Sequence, residues 1–133
     1  MRRARMLSLA LVCLGLAGCD LRGSTTYENR LVQGGDPARG LAILVTGSHG
    51  CQACHAIPGI GAPKGVVGPP LAGIAGRGFI AGQLPNTAQT MVSFLQDPPA
   101  LVPRTGMPNV GLDLAQARDI AAYLYTLEVP DAP

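Results

Sequence analysis

Cys51-Gln52-Ala53-Cys54-His55 is the stretch on which the reading of this 133-residue chain turns. Two thiols three residues apart fall on one helical turn, where each can add to a vinyl group of a single porphyrin. The imidazole that follows is then held under the iron. The bare C-x-x-C spacing serves two other chemistries. A dithiol redox motif uses it in a βαβ setting, which the flanking glycines and prolines do not provide. A zinc site needs a second pair of ligands, and beyond Cys54 the chain holds no further Cys and no His except His55. The motif is therefore read as the attachment site of one covalent haem c, with Cys51 and Cys54 as the thioether residues and His55 as an iron ligand.

Immediately after the motif, residues 56–86 are rich in Gly and Pro and nearly without period, so they read as loop. They nevertheless scatter Ile57, Val66, Val67, Leu71, Ile74, Phe79, Ile80 and Leu84 along their length. Loops of this kind bury little against one another. A haem face is the economical partner for that apolar surface. Just before the motif, Asp36 is suited to cap a helix whose first position is Pro37. Gly40, Leu41, Leu44 and Val45 share one side of it, and Gly47, Ser48 and Gly50 end it. A glycine within a helix costs about 1 kcal/mol against alanine, a cost that a close crossing with another helix would explain.

Further along, Thr87 to Gln96 reads as a short helix started by Asn86 or Thr87 and stopped by Asp97-Pro98-Pro99, with Met91, Phe94 and Leu95 on one face. After a Pro-containing loop, Asp113 and Gln116 form a capping-box pattern that opens the last helix. Leu114, Ala117, Ile120, Ala121, Leu124 and Leu127 make its buried stripe, Arg118 and Asp119 sit outside it, and Pro130 ends it. No strand pattern and no internal repeat is visible. The expected fold is all-α: three to five short helices wrapped around one haem c, with long Gly/Pro-rich loops.

The first residues read as an export signal. Arg2, Arg3 and Arg5 form a positive n-region, and Met6 to Gly18 is an apolar run too short to span a bilayer comfortably. Leu16-Ala17-Gly18-Cys19 resembles the lipobox of bacterial lipoproteins, which implies cleavage before Cys19 and acylation of its sulfur. Residues 1–18 are then a signal peptide, 19–35 a polar lipidated tether, 36–128 the folded domain and 129–133 a tail. The tether has a coil reach of roughly 20 Å and a stretched limit of about 55 Å. Asp20 resembles the residue that retains some lipoproteins in the inner membrane. The formal net charge is +2 for the whole chain, but without the signal seven basic residues face eight acidic ones. The basic character belongs to targeting, and no nucleic-acid role follows from it.

With C-x-x-C-H near the front, Gly106-Met107-Pro108 in a late loop, and Asp119-Ile120-Ala121-Ala122-Tyr123-Leu124 at the end, residues 36–128 resemble the class I cytochrome c family. The stretch Ile80-Ala81-Gly82-Gln83-Leu84-Pro85-Asn86-Thr87 is similar to the cytochrome c domain fused to subunit II of some bacterial haem–copper oxidases. No copper-binding domain precedes it here, so the resemblance implies a carrier role without the oxidase role. It also implies that the Pro69 carbonyl, in Gly68-Pro69-Pro70-Leu71, accepts the hydrogen bond of the proximal imidazole and raises its donor strength. Arg77 is a candidate propionate contact or else an exposed arginine. Gly40 and Tyr123 match the positions where the first and last helices cross, and Leu44 stands where the family often has an aromatic.

Three side chains compete to be the distal ligand. Met91 lies on an apolar helical face, where a methionine usually fills core. His49 is too near Cys51 to reach the other haem face easily and reads as a solvent-exposed loop histidine. Met107, between Gly106 and Pro108, has no packing reason to be there and is the preferred ligand. A haem with both axial positions filled by protein is suited to one-electron transfer. The expectation is a membrane-anchored carrier on the periplasmic face of the bacterial inner membrane. It would take electrons from a quinol-oxidising complex or dehydrogenase and pass them to a terminal oxidase of the respiratory chain. The competing readings are a haem subunit held permanently in a dehydrogenase or oxidase complex, and a haem enzyme or gas sensor with an open distal site.

Overall fold

Asp36 sets the start of the folded unit. In the computed structural model, which describes residues 30–61 and 63–128, its carboxylate accepts hydrogen bonds from the backbone N–H groups of Ala38 and Arg39 at the head of α1, Pro37–Thr46. Pro37 occupies the first turn, and Gly47 at φ 68° closes the helix in the left-handed conformation that glycine adopts without strain. Then come the single turn α2 (Cys51–Cys54), a 3-10 turn (Ile74–Gly76), α3 (Ala88–Gln96), α4 (Pro98–Leu101) and α5 (Leu114–Leu124). Thr87 caps α3 through its hydroxyl. The reciprocal box of Asp113 and Gln116 caps α5. Signal, Cys19, Asp20, most of the tether, and residues 129–133 with Pro130 lie outside the described residues.

The frame is α1 laid across α5, with α3 packed along the same helix. Gly40 makes the crossing close: a Cβ there would collide with the backbone carbonyl of Asp119 and the amide of Ile120. The partner of Gly40 is thus the Asp119–Ile120 backbone. Tyr123, one turn on, sends its hydroxyl 2.9 Å to the Pro58 carbonyl, where it ties α5 to the loop after the haem motif. Leu44, Met91, Phe94, Leu95, Ile120, Ala121 and Leu124 are buried between the three helices. The result is a small, mostly helical fold with five α-helices among the described residues.

Four expectations need correction. A strand pair exists: β1 (Phe79–Ile80) and β2 (Leu84–Pro85) run antiparallel, Ile80 opposite Leu84. It is too short to show alternation, and its turn uses Ala81 at φ 50° beside Gly82 at φ 70°, where an alanine gives no turn signal. Asp97-Pro98-Pro99 does not open a plain loop; Asp97 caps α4, and the prolines fill its first turn. Leu114, assigned to the buried stripe, is 44% exposed, and Val45, placed on the same side of α1 as buried Leu44, is 59% exposed. Asp119, placed outside the stripe, is buried, because α1 covers that side of α5 and brings Arg39 to it. Arg39 Nε lies 2.8 Å from Asp119 Oδ2, and Arg39 Nη2 lies 2.8 Å from Oδ1. The backbone N–H of Asp36 donates to the same Oδ1 at 2.8 Å. These bonds satisfy the carboxylate and lower its pKa from the ordinary aspartate value, the Arg39 hydrogen bond being the largest cause.

Candidate cofactor site

Between the helical frame and the loops lies a cavity of about 450 Å³. The frame contributes Leu44, Met91, Phe94, Leu95, Ile120 and Leu124, and the loops contribute Val67, Leu71, Ile74, Phe79, Ile80 and Val110. Of the apolar residues scattered through 56–86, Val67, Leu71, Ile74, Phe79 and Ile80 line it. Ile57 and Leu84 instead pack into or against the protein core. Val66 is 91% exposed.

Cys51, Cys54, His55, Pro69, Arg77 and Met107 all line this one cavity. The two cysteines are half-buried free thiols presented by α2, and burial pushes the Cys51 thiol up. The α2 turn ends at His55, whose backbone turns extended at φ −111° and ψ 137°. The imidazole Nδ1 then lies 2.8 Å from the Pro69 carbonyl oxygen. A carbonyl can only accept, so Nδ1 carries a proton and Nε2 is the ring nitrogen placed to bind a metal. Gly68 leaves room for the ring, since a Cβ there would sit 2.5 Å from His55 Cε1. Gly65 plays the same part against the Cys54 backbone, where a side chain would clash.

Met107 is half-buried in the loop between α4 and α5, its N–H bonded to the Thr105 hydroxyl at 3.2 Å. Met91 also reaches the cavity wall but from within α3, 3% exposed and among the core residues. His49 is neither on the wall nor a solvent-exposed histidine. It is half-buried, with Nδ1 3.1 Å from the Val110 carbonyl oxygen. Arg77 Nη2 donates to the carbonyls of Pro70 and, at 3.0 Å, Ala72, which folds the loop over the side chain.

Asn86 is the site-forming residue that sequence reasoning underestimated. Thr87 does the capping of α3, which leaves Asn86 buried at 7% exposure to clamp the cavity wall. Its Nδ2 donates to the carbonyls of Ile74 and Arg77 at 2.9 and 2.8 Å. Its Oδ1 accepts from the Tyr125 hydroxyl at 2.8 Å, and burial raises that hydroxyl to about 12. Two adjacent residues able to cap one helix were the available signal, because only one of them is needed there. Among the described residues no buried side-chain polar atom lacks a partner.

The cavity fits a covalently held iron porphyrin on its own chemistry: an apolar enclosure, two thiols on one turn, an oriented imidazole with one nitrogen free, and a thioether. The comparisons agree. The family described as Cytochrome c matches residues 37–128. Cytochrome c2 of Rhodopseudomonas palustris is 32% identical over 122 residues, an alignment spanning 70% of this chain and 99% of that protein.

Proposed function

The chain belongs to the cytochrome c family, an electron-transfer family that binds haem c covalently, and from that premise we propose a lipid-anchored carrier of the bacterial respiratory chain. Cys51 and Cys54 would hold the haem as thioethers, and His55 and Met107 would ligate its iron. The observation that carries this is that all four side chains line one cavity. When bound, the haem supplies a one-electron ferric/ferrous couple. The residues do the rest. Pro69 fixes the His55 ring and strengthens it as a donor. Met107, a soft neutral donor, favours the ferrous state. The apolar wall excludes water, and ligation of the iron by both His55 and Met107 would leave no open site for substrate. Arg77 uses Nη2 for Pro70 and Ala72, and its other N–H groups serve a haem propionate.

Cys19 carries the lipid, and the tether holds the domain at the periplasmic face of the inner membrane. Confinement there raises the effective concentration of the carrier near its partners without tightening any contact. Those partners are a quinol-oxidising complex or dehydrogenase on the donor side and a terminal oxidase on the acceptor side. Among the described residues no helix is long and apolar enough to cross a membrane.

Two measurements on the haem-matured protein test the proposal. The ferrous protein should not bind carbon monoxide at neutral pH; tight binding would point to an open-site enzyme or sensor. Cys19→Ser should release the domain from membranes with its spectrum unchanged, since stable anchoring needs more than one acyl chain. If the variant stays with the membrane at high salt and leaves only with other subunits in mild detergent, the fixed-subunit reading replaces the carrier.

A further inference from the structure

Met107 and Val110 pack against the core, but in hydrogen bonds the loop that bears Met107 is held mostly by itself. Thr105 N–H bonds to the Val102 carbonyl, Met107 N–H to the Thr105 hydroxyl, and Gly111 N–H to the Asn109 side chain. Buried Val102 and Leu112 pin its two ends. Among the described residues, one hydrogen bond joins residues 103–112 to a distant part of the chain, the contact between His49 Nδ1 and the Val110 carbonyl. Both flanks of that bond belong to the site: Gly50 and Val110 line the cavity. His49 sits in a turn with Gly47 and Gly50 at φ 68° and 67° and Gly50 N–H bonded to the Gly47 carbonyl at 3.0 Å.

We infer that His49 is a positioning residue, a latch that ties the haem-attachment turn to the Met107 loop and keeps the thioether on the iron. The inference rests on the reading of Met107 as the distal ligand. Because the carbonyl can only accept, the imidazole must donate from Nδ1. The bond therefore restrains the loop three residues past the ligand, and its loss raises the fraction of molecules in which the loop has swung away. An added ligand that competes with Met107 reports that fraction directly, because its apparent affinity scales with the population of the open form.

The test uses the ferric, haem-matured full chain and imidazole as the competing ligand, with the far-red methionine-to-iron band followed alongside. His49→Ala should raise the apparent imidazole affinity about fivefold, the equivalent of one ordinary hydrogen bond. The band should remain when no imidazole is added. His49→Asn keeps an N–H donor close to the position of Nδ1 and should return the affinity to the wild-type value. Asp119→Asn, at the distant helix crossing, should lower the melting temperature without raising imidazole affinity, which separates the latch from general loosening. A normal band with unchanged affinity in His49→Ala overturns the latch alone, as does an equal rise in Asp119→Asn. A wild-type spectrum without the band overturns the Met107 assignment and the latch with it.

Discussion

Where α1 crosses α5 the chain closes on itself: Gly40 lets two backbones touch, and Arg39, Asp119 and the Asp36 N–H lock the contact with three hydrogen bonds of 2.8 Å. On the other side of the core, Val67, Leu71, Phe79 and Val110 face a cavity of about 450 Å³ instead of each other. The first region is complete with the chain's own atoms. The second is a wall that needs something to lean on, held in shape by backbone hydrogen bonds and the Asn86 clamp. The difference shows how a domain whose aromatic side chains are Phe79, Phe94, Tyr123 and Tyr125 can be stable: the cofactor takes the place that large side chains would fill in a domain of this size.

The harshest way to break this comparison is to remove the haem. Replacing Cys51 and Cys54 by Ala should leave a chain without cooperative unfolding, in which amides of residues 65–82 and 103–112 lose hydrogen-exchange protection before those of α1 and α5. Uniform protection and a native-like melt in that variant would show that the loop half packs unaided.

The crossing can be broken separately. Gly40→Ala sets a methyl group against backbone that cannot move aside without separating the helices. It should cost about 3 kcal/mol, the upper end of ordinary overpacking, and lower the melting temperature of the holo-protein by roughly 12–24 °C. The absorption spectrum of the surviving native fraction should be unchanged, because Gly40 itself does not line the cavity.

Much of this was legible beforehand, and the reasons differ by region. The caps at Asp36 and Asp113 and the stripe of Ala117, Ile120, Ala121 and Leu124 follow local rules of hydrogen bonding and period, so sequence spacing was enough; at α3 it narrowed the cap to Asn86 or Thr87. The haem motif was legible because two thiols and an imidazole at that spacing have few other uses. Asp119 was misplaced because its burial depends on Arg39, 80 residues away in the chain. A period-based reading sends any carboxylate to water. Asn86 and His49 were missed or misread for a related reason: their partners are backbone carbonyls of Ile74, Arg77 and Val110, and a carbonyl has no sequence signature.

The Asp119 lock sharpens the comparison through pH. Its folded-state pKa is depressed, chiefly by the Arg39 hydrogen bond, so its contribution is fully present above the unfolded aspartate value of about 3.9 and is lost as the pH falls through the folded value. Chemical denaturation between pH 6 and pH 3 should show stability falling toward acid, and Asp119→Asn should flatten that slope. Asp119→Ala at neutral pH should cost about 1–3 kcal/mol, because the Asp36 N–H loses its acceptor. An unaltered acid slope in Asp119→Asn would mean that the crossing is held by backbone packing alone.

The central claim is that the loop half presents Met107 to the iron while the helical half keeps Met91 for packing. The direct measurement is the far-red band of the ferric, haem-matured protein in two variants. Met91→Ala, a truncation at a site 3% exposed, should cost about 2–5 kcal/mol and keep the band. Met107→Ala should lose the band and admit cyanide in the ferric state, or carbon monoxide once the iron is reduced. A band abolished by Met91→Ala and retained by Met107→Ala would contradict the account.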